Sequence, residues 1–172
     1  DLLKKAERPL FLMGGGVTIS RGQDAARKLA EHTGIPVITT IMGRGALPTD
    51  HELYFGNVGM HGCYSANKAI SDCDLLFSIG TRFNDRITGK LGEFAKHAKI
   101  VHVDIDTASI SRNIQVDIPI VADAKEAMEA ILRNMPAGDH REWVMQLKQW
   151  DQEHPIDMPE AEGINPQKII RE

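Results

Sequence analysis

Asp74-Leu75-Leu76-Phe77-Ser78-Ile79 runs directly into Gly80-Thr81-Arg82-Phe83-Asn84-Asp85-Arg86-Ile87-Thr88-Gly89-Lys90. The first stretch is short and nearly all apolar, as a strand buried on both faces must be. The second is polar and opens on glycine, as a loop leaving the carboxyl end of such a strand does. The same grammar recurs along the chain. Pro9 to Met13 reads as a strand and is followed by Gly14-Gly15-Gly16. A helix from about Gly22 to His32 places Ala25, Ala26, Leu29 and Ala30 on one face. Ile35 to Thr39 is the next strand, with Pro36 tolerated near its start.

A glycine-rich connection covers Thr40 to Gly62, with a further strand expected near Leu53 to Phe55. A helix follows over Tyr64 to Ser71. Beyond Lys90 a short helical stretch leads to the strand Lys99 to Val103. A short helix near Ala108 to Arg112 precedes the strand Ile118 to Val121. Helices over Ala124 to Asn134 and His140 to Glu153 complete the pattern, separated by Met135-Pro136-Ala137-Gly138. Apolar strands alternating with amphipathic helices give an α/β class: a doubly wound, mostly parallel sheet of five to six strands with helices on both faces. In such folds ligands sit beyond the carboxyl ends of the strands, where the strand order reverses.

Bulk properties narrow the function. The chain has 172 residues, 42% hydrophobic and 26% charged, with a net charge of −4. That suits one globular domain and, with no basic run, speaks against nucleic acid or an anionic membrane as partner. No apolar stretch approaches the ~20 residues that span a bilayer. Cys63 and Cys73 read as reduced thiols of a cytoplasmic protein, and the seven histidines fall into no metal-ligand spacing. Both ends read as interior to a longer protein: Asp1 lies within an apparent helix, and Asn165-Pro166 opens another over Gln167 to Glu172. The expected organisation is one α/β domain over residues 1–153. Residues 154–172 then form a linker and the start of a further domain.

The loops at the ligand edge carry the candidate chemistry. Gly14, Gly15 and Gly16 let backbone approach a phosphate or simply make a tight turn; Ile19 stands where a full G-x-G-x-x-G has its third glycine. Thr40, Ile41 and Met42 offer hydroxyl and backbone donors or a structural loop. Met60 is a polarisable apolar plate between Gly59 and His61-Gly62, or a core residue. Arg82 and Arg86 suit phosphate or carboxylate, although Asp85 and Arg86 could form a mere surface pair. Asp104 stands where an acid commonly accepts from a ribose hydroxyl, with Asp106 two residues on. Asp123 repeats the placement or caps the following helix. Together the loops favour a nucleotide-containing cofactor. No nucleophile–base set stands out.

The ordered segments FLMGGGV, IPVITTIMGRGALP, FGNVGMHGCYSANKAISDCDLLFSIGTRFNDRITGK, VHVDIDTASISRN and IPIVADAK resemble the central domain of acetolactate synthase (acetohydroxyacid synthase) large subunits along nearly the whole chain. GMHG and GTRFNDRITG are the specific part. The resemblance implies a Rossmann-like central domain of a thiamine diphosphate enzyme. That family condenses two 2-ketoacids with decarboxylation for branched-chain amino acid biosynthesis, using thiamine diphosphate, Mg²⁺ and an FAD without a redox part in the main reaction. It implies FAD contacts at Gly14, Gly15, Gly16, Thr40, Ile41, Met42, Met60, His61, Gly62, Gly80, Thr81, Arg82, Arg86, Ile87, Asp104, Ile105, Asp123 and Ala124. Ser109 stands where some relatives carry Asn. Arg86, Met60 and Asp85 match residues of the substrate channel, with Arg86 on the second ketoacid's carboxylate.

The resemblance places the glutamate that activates thiamine in the preceding domain, and the diphosphate–Mg²⁺ motif in the following one. These residues alone are therefore expected to be inactive. It further implies a homodimer or tetramer and a regulatory small subunit. Two other readings compete. One is a free-standing NAD-dependent oxidoreductase, disfavoured by the incomplete glycine pattern. The other is the central domain of a related thiamine enzyme that binds ADP or no nucleotide, disfavoured by GMHG and GTRFNDRITG.

Overall fold

A computed structural model describes residues 2–156 and residue 169. The expected linker and final helix lie almost wholly outside the described residues. After a short helix α1 (Leu2–Lys5), the strands are β1 (Pro9–Met13), β2 (Val37–Thr39), β3 (Tyr54–Asn57), β4 (Leu75–Ile79), β5 (Lys99–Asp104) and β6 (Ile118–Val121). Between and after them run α2 (Gly15–Ile19), α3 (Gln23–Thr33), α4 (Tyr64–Asp72), α5 (Asp85–Thr88), α6 (Ala124–Asn134) and α7 (Arg141–Glu153). The six strands form one sheet in the order β3-β2-β1-β4-β5-β6, and every neighbouring pair is parallel.

The apolar runs sit where their composition requires. Every residue of β1, β2 and β4 is buried. Phe11 and Phe77, paired in register, meet edge to face at 5.7 Å. The crossover from β1 through α3 moves the chain toward one edge, and α4 carries it back past β1 to β4. Right-handed crossovers in opposite directions put those helices on opposite faces. Accordingly α3 packs with α6, and α4 with α7. The buried side of α3 is Ala25, Ala26, Leu29, Ala30 and Thr33, and Gly34 ends the helix at φ +65°. From α7, the Trp143 indole N–H donates to the Pro9 carbonyl at 3.0 Å, tying that helix to the start of β1.

Two local expectations change. The chain near Ala108 to Arg112 forms turns rather than a helix. Asp106 accepts the Ala108 N–H and the Ser109 hydroxyl, each at 3.0 Å, and Ser111 sits at φ +56°. Side-chain capture of the backbone competes with helix formation, and a left-handed residue ends it. At the glycine run, conversely, the short helix α2 begins at Gly15, ahead of the helix expected from about Gly22.

That run meets the first residue after β4. Gly14 donates to the Ile79 carbonyl at 2.9 Å and Gly16 to the Gly80 carbonyl at 3.1 Å. An added Cβ on Gly14 would lie 2.2 Å from the Gly80 oxygen, and one on Gly80 would lie 2.6 Å from the Gly16 Cα. Gly80 also adopts φ +63°. Gly80→Ala is expected to cost about 2–4 kcal/mol, from left-handed strain plus overpacking against backbone. Gly34, left-handed at φ +65° with its would-be Cβ no closer than 3.2 Å to any neighbour, supplies the control. Gly34→Ala should cost only about 1–2 kcal/mol. Equal losses in urea unfolding would mean that the Gly80 contact contributes nothing beyond its backbone angle.

Candidate functional site

The strand order reverses between β1 and β4, and a cleft of about 840 Å³ opens at the carboxyl ends there. Gly15, Gly16, Gly80 and Thr81 form its floor. Thr40, Ile41, Met42 and Arg44 line one wall after β2, continued by Asn57, Val58, Met60 and His61 after β3. Arg82, Asn84, Arg86 and Ile87 come from the loop after β4. Val103, Asp104, Ile105, Asp106, Ala122, Asp123 and Ala124 complete it from β5 and β6.

Most residues named from the sequence thus reach one cavity. Gly14, Gly62 and Asp85 do not line it. Gly14 is buried beneath the floor against Gly80. Gly62 closes a tight turn by donating to the Gly59 carbonyl at 2.9 Å, with no room for a side chain beside the Asn57 oxygen. Asp85 is exposed and accepts the backbone N–H of Arg86 at 3.0 Å, not its guanidinium. Ile19, Ser20, Arg44, Asn57, Val58, Asn84, Val103, Asp106 and Ala122 line the cleft without having been singled out as cofactor contacts. Most sit beside residues that were, so the position after a strand end was the signal. Arg44 and Asn57 depend on how the long connection folds.

The cleft is electrically two-ended. No carboxylate among the described residues lies within 4.0 Å of the guanidinium of Arg44, Arg82 or Arg86. On the β5–β6 side, Asp123 caps α6 through Oδ1, accepting from Lys125 at 2.9 Å and Glu126 at 3.2 Å. Asp106 caps its own turn, and Ser109 is buried behind it. Asp104 accepts the Asp106 N–H through Oδ1 at 2.9 Å, while Oδ2 has only His102 at 3.8 Å. Asp104 therefore has an acceptor oxygen available to a ligand. The Thr40 hydroxyl accepts from Gly43 at 3.1 Å and is engaged in a cap. Ile41, Met42, Met60 and Ile105 stand exposed around this polar interior.

The Gly80–Phe83 segment is pinned from below. His102, fully buried on β5, donates from Nε2 to the Thr81 carbonyl at 2.7 Å. Ser78 and Thr81 share a hydroxyl hydrogen bond. Phe83, at φ +46°, is clamped edge to face by His102 at 4.8 Å and Phe94 at 5.8 Å. Asn113 donates to its carbonyl at 2.9 Å. Nδ1 of His102 has no partner. Burial lowers the pKa of His102, against smaller opposing effects of the Thr81 hydrogen bond and Asp104.

The unfolded chain takes up a proton near pH ~6.5 that the folded ring refuses. The stability contributed by neutral His102 is therefore present above that pH, and it is lost as pH falls through the lower folded value. His102→Gln, which retains an Nε donor, should flatten the acid limb of the stability–pH curve. Some acid loss should remain, because burial also lowers the pKa of His140. An unchanged acid limb would show that the His102 ring takes up its proton freely.

Residues 1–131 match the family described as thiamine pyrophosphate enzyme, central domain. The chain is 42% identical over 175 residues to a probable acetolactate synthase large subunit of Methanocaldococcus jannaschii, covering 99% of the chain and 30% of that relative. It is 43% identical over 176 residues to the acetolactate synthase large subunit of Corynebacterium glutamicum, covering 98% of the chain and 28% of the relative. A third such subunit, from Cyanidium caldarium, is 38% identical over 99% of the chain and 31% of its own length. The chain thus spans about three-tenths of the length of these relatives. With its six parallel strands and the cleft at their switch point, the chain belongs to the thiamine pyrophosphate enzyme central-domain family.

Proposed function

We propose that the chain is the FAD-holding central domain, over residues 1–153, of an acetolactate synthase large subunit. The observation that carries this reading is the two-ended cleft: arginines that no described carboxylate holds on one side, an open acceptor on Asp104 on the other, and an apolar rim. A flavin dinucleotide has matching parts. Its diphosphate is suited to Arg82 and the backbone at Gly15. Its ribose hydroxyl is suited to Asp104. Its flat ring is suited to Met42, Met60, Ile41 and Ile87. Gly14 and Gly16 have their amides engaged by Ile79 and Gly80, so their support for the cofactor is structural. FAD bound here supplies shape and contact area rather than electrons to the main reaction.

In this reading the complete enzyme joins two 2-ketoacids with loss of carbon dioxide. Thiamine diphosphate and Mg²⁺ are held by flanking domains of the same chain. The working assembly is a cytoplasmic homodimer or tetramer with a regulatory small subunit. This domain contributes binding and orientation. The Arg86 guanidinium, with no carboxylate among the described residues to hold it, offers two parallel donors to the carboxylate of the second ketoacid. Met60, whose Sδ lies 4.0 Å from Arg86 Nη1, presents an apolar surface beside it, and Asp85 shapes the same turn from outside.

In the complete chain assayed for acetolactate formation, Arg86→Ala should lower kcat/KM for the second ketoacid about tenfold or more, with FAD still bound. Unchanged kinetics would remove Arg86 from the site. Asp104→Ala should weaken FAD by about 1–3 kcal/mol. Unaltered affinity would mean that the carboxylate does not touch the ribose.

A further inference from the structure

We infer that Asn67, outside the cleft, is a positioning residue that sets the spacing of Met60 and Arg86 and thereby the enzyme's hold on its second ketoacid. The inference rests on the function proposed above. Asn67 lies on α4, whose platform is fixed by the buried Ser65, Ala66, Ala69 and Ile70. Its side chain reaches sideways to one residue and satisfies both of that residue's backbone groups. The Gly59 N–H donates to Oδ1 at 2.9 Å, and Nδ2 donates to the Gly59 carbonyl at 3.0 Å. This pairing copies the two-bond exchange of adjacent antiparallel strands, and only a carboxamide carries both the donor and the acceptor for it. Asparagine is also a poor choice for an exposed helix interior unless its side chain has work to do there.

Gly59 is the point where the two walls of the cleft meet. It adopts φ +114°, and an added Cβ would lie 2.5 Å from the Arg86 carbonyl oxygen. The next residue, Met60, donates its N–H to that same oxygen at 3.0 Å. A shift of Gly59 therefore moves Met60 directly and releases the carbonyl of Arg86. Within its own loop Gly59 has only the turn bond from Gly62, which travels with it. Asn67 is the tie that joins this turn to the rigid helix. Arginine recognition of a carboxylate depends on the position of a planar fork, so a small displacement weakens substrate binding more than it disturbs the cofactor.

The test uses the complete chain with thiamine diphosphate, Mg²⁺ and FAD, comparing the natural protein with Asn67→Ala and Asn67→Asp. Alanine removes both bonds; aspartate keeps the acceptor and sets a like dipole against the Gly59 carbonyl. Both variants should keep their flavin absorbance and a kcat within about twofold, while KM for the second ketoacid rises about fivefold or more. Amide hydrogen exchange should quicken at Gly59 and Met60 in the alanine variant, which loses the acceptor for the Gly59 N–H. Unchanged KM, or unchanged exchange at those amides, would overturn the inference. So would a parallel fall of kcat, flavin content and thermal stability, which marks a general structural role. If the natural chain binds no FAD and makes no acetolactate, the function proposed above fails. Exchange at Gly59 and Met60 then still decides whether Asn67 holds the turn.

Discussion

The contact of Gly14 and Gly16 with Gly80 is the constraint from which the rest of the molecule follows. Two backbones from β1 and β4 approach closely enough that no Cβ fits between them on either side. The contact lies at the one place where the strand order reverses, so helices that leave in opposite directions open a cleft above it. Side chains at that point would push the strand ends apart and fill the floor of the cleft. Glycine here serves the protein's own packing before it serves any ligand. Two of the three amides in the run already have carbonyl partners.

Above that floor, the loops hold their polar groups by unequal means. Asp123, Asp106 and Thr40 are engaged in caps and turns. Asp104, Arg44, Arg82 and Arg86 retain capacity that no other described residue satisfies. That division separates side chains that shape the cleft from those able to bind within it. Beneath, the buried Ser78, Thr81 and His102 replace what would otherwise be an apolar layer between β4 and β5. Hydrogen bonding compensates such burial for every atom except His102 Nδ1, and a neutral ring keeps the remaining cost small.

Much of this was legible in the residues. Strands buried on both faces must be largely apolar, so β1, β2, β4 and β5 stood out, with boundaries moved by a residue or two; β6, mostly exposed at the sheet edge, was legible from its β-branched run alone. β3 was harder, because a four-residue edge strand with only Phe55 buried carries little pattern; it falls at Tyr54–Asn57 rather than Leu53 to Phe55. The helix expected near Ala108 failed because Asp106 captures the backbone there, a competition that propensity does not express. The residues that line the cleft were legible as strand-end loops. Their roles were not, because whether Asp123 caps a helix or faces a ligand depends on atoms brought together only by folding. Arg44, Asn57 and Asn67 are tertiary facts of the same sort: Gly59 and Asn67 show no periodicity that would announce their pairing.

The proposed function depends most directly on the cleft taking a flavin dinucleotide. Isothermal titration of this chain with FAD, alongside ADP and NAD, measures that without relying on activity. Saturable binding of FAD is expected, with weaker binding of ADP, which lacks the flavin ring, and none of NAD. Preference for ADP or NAD over FAD, or no binding of any of the three, would contradict the claim that the glycine-packed switch point builds a flavin site.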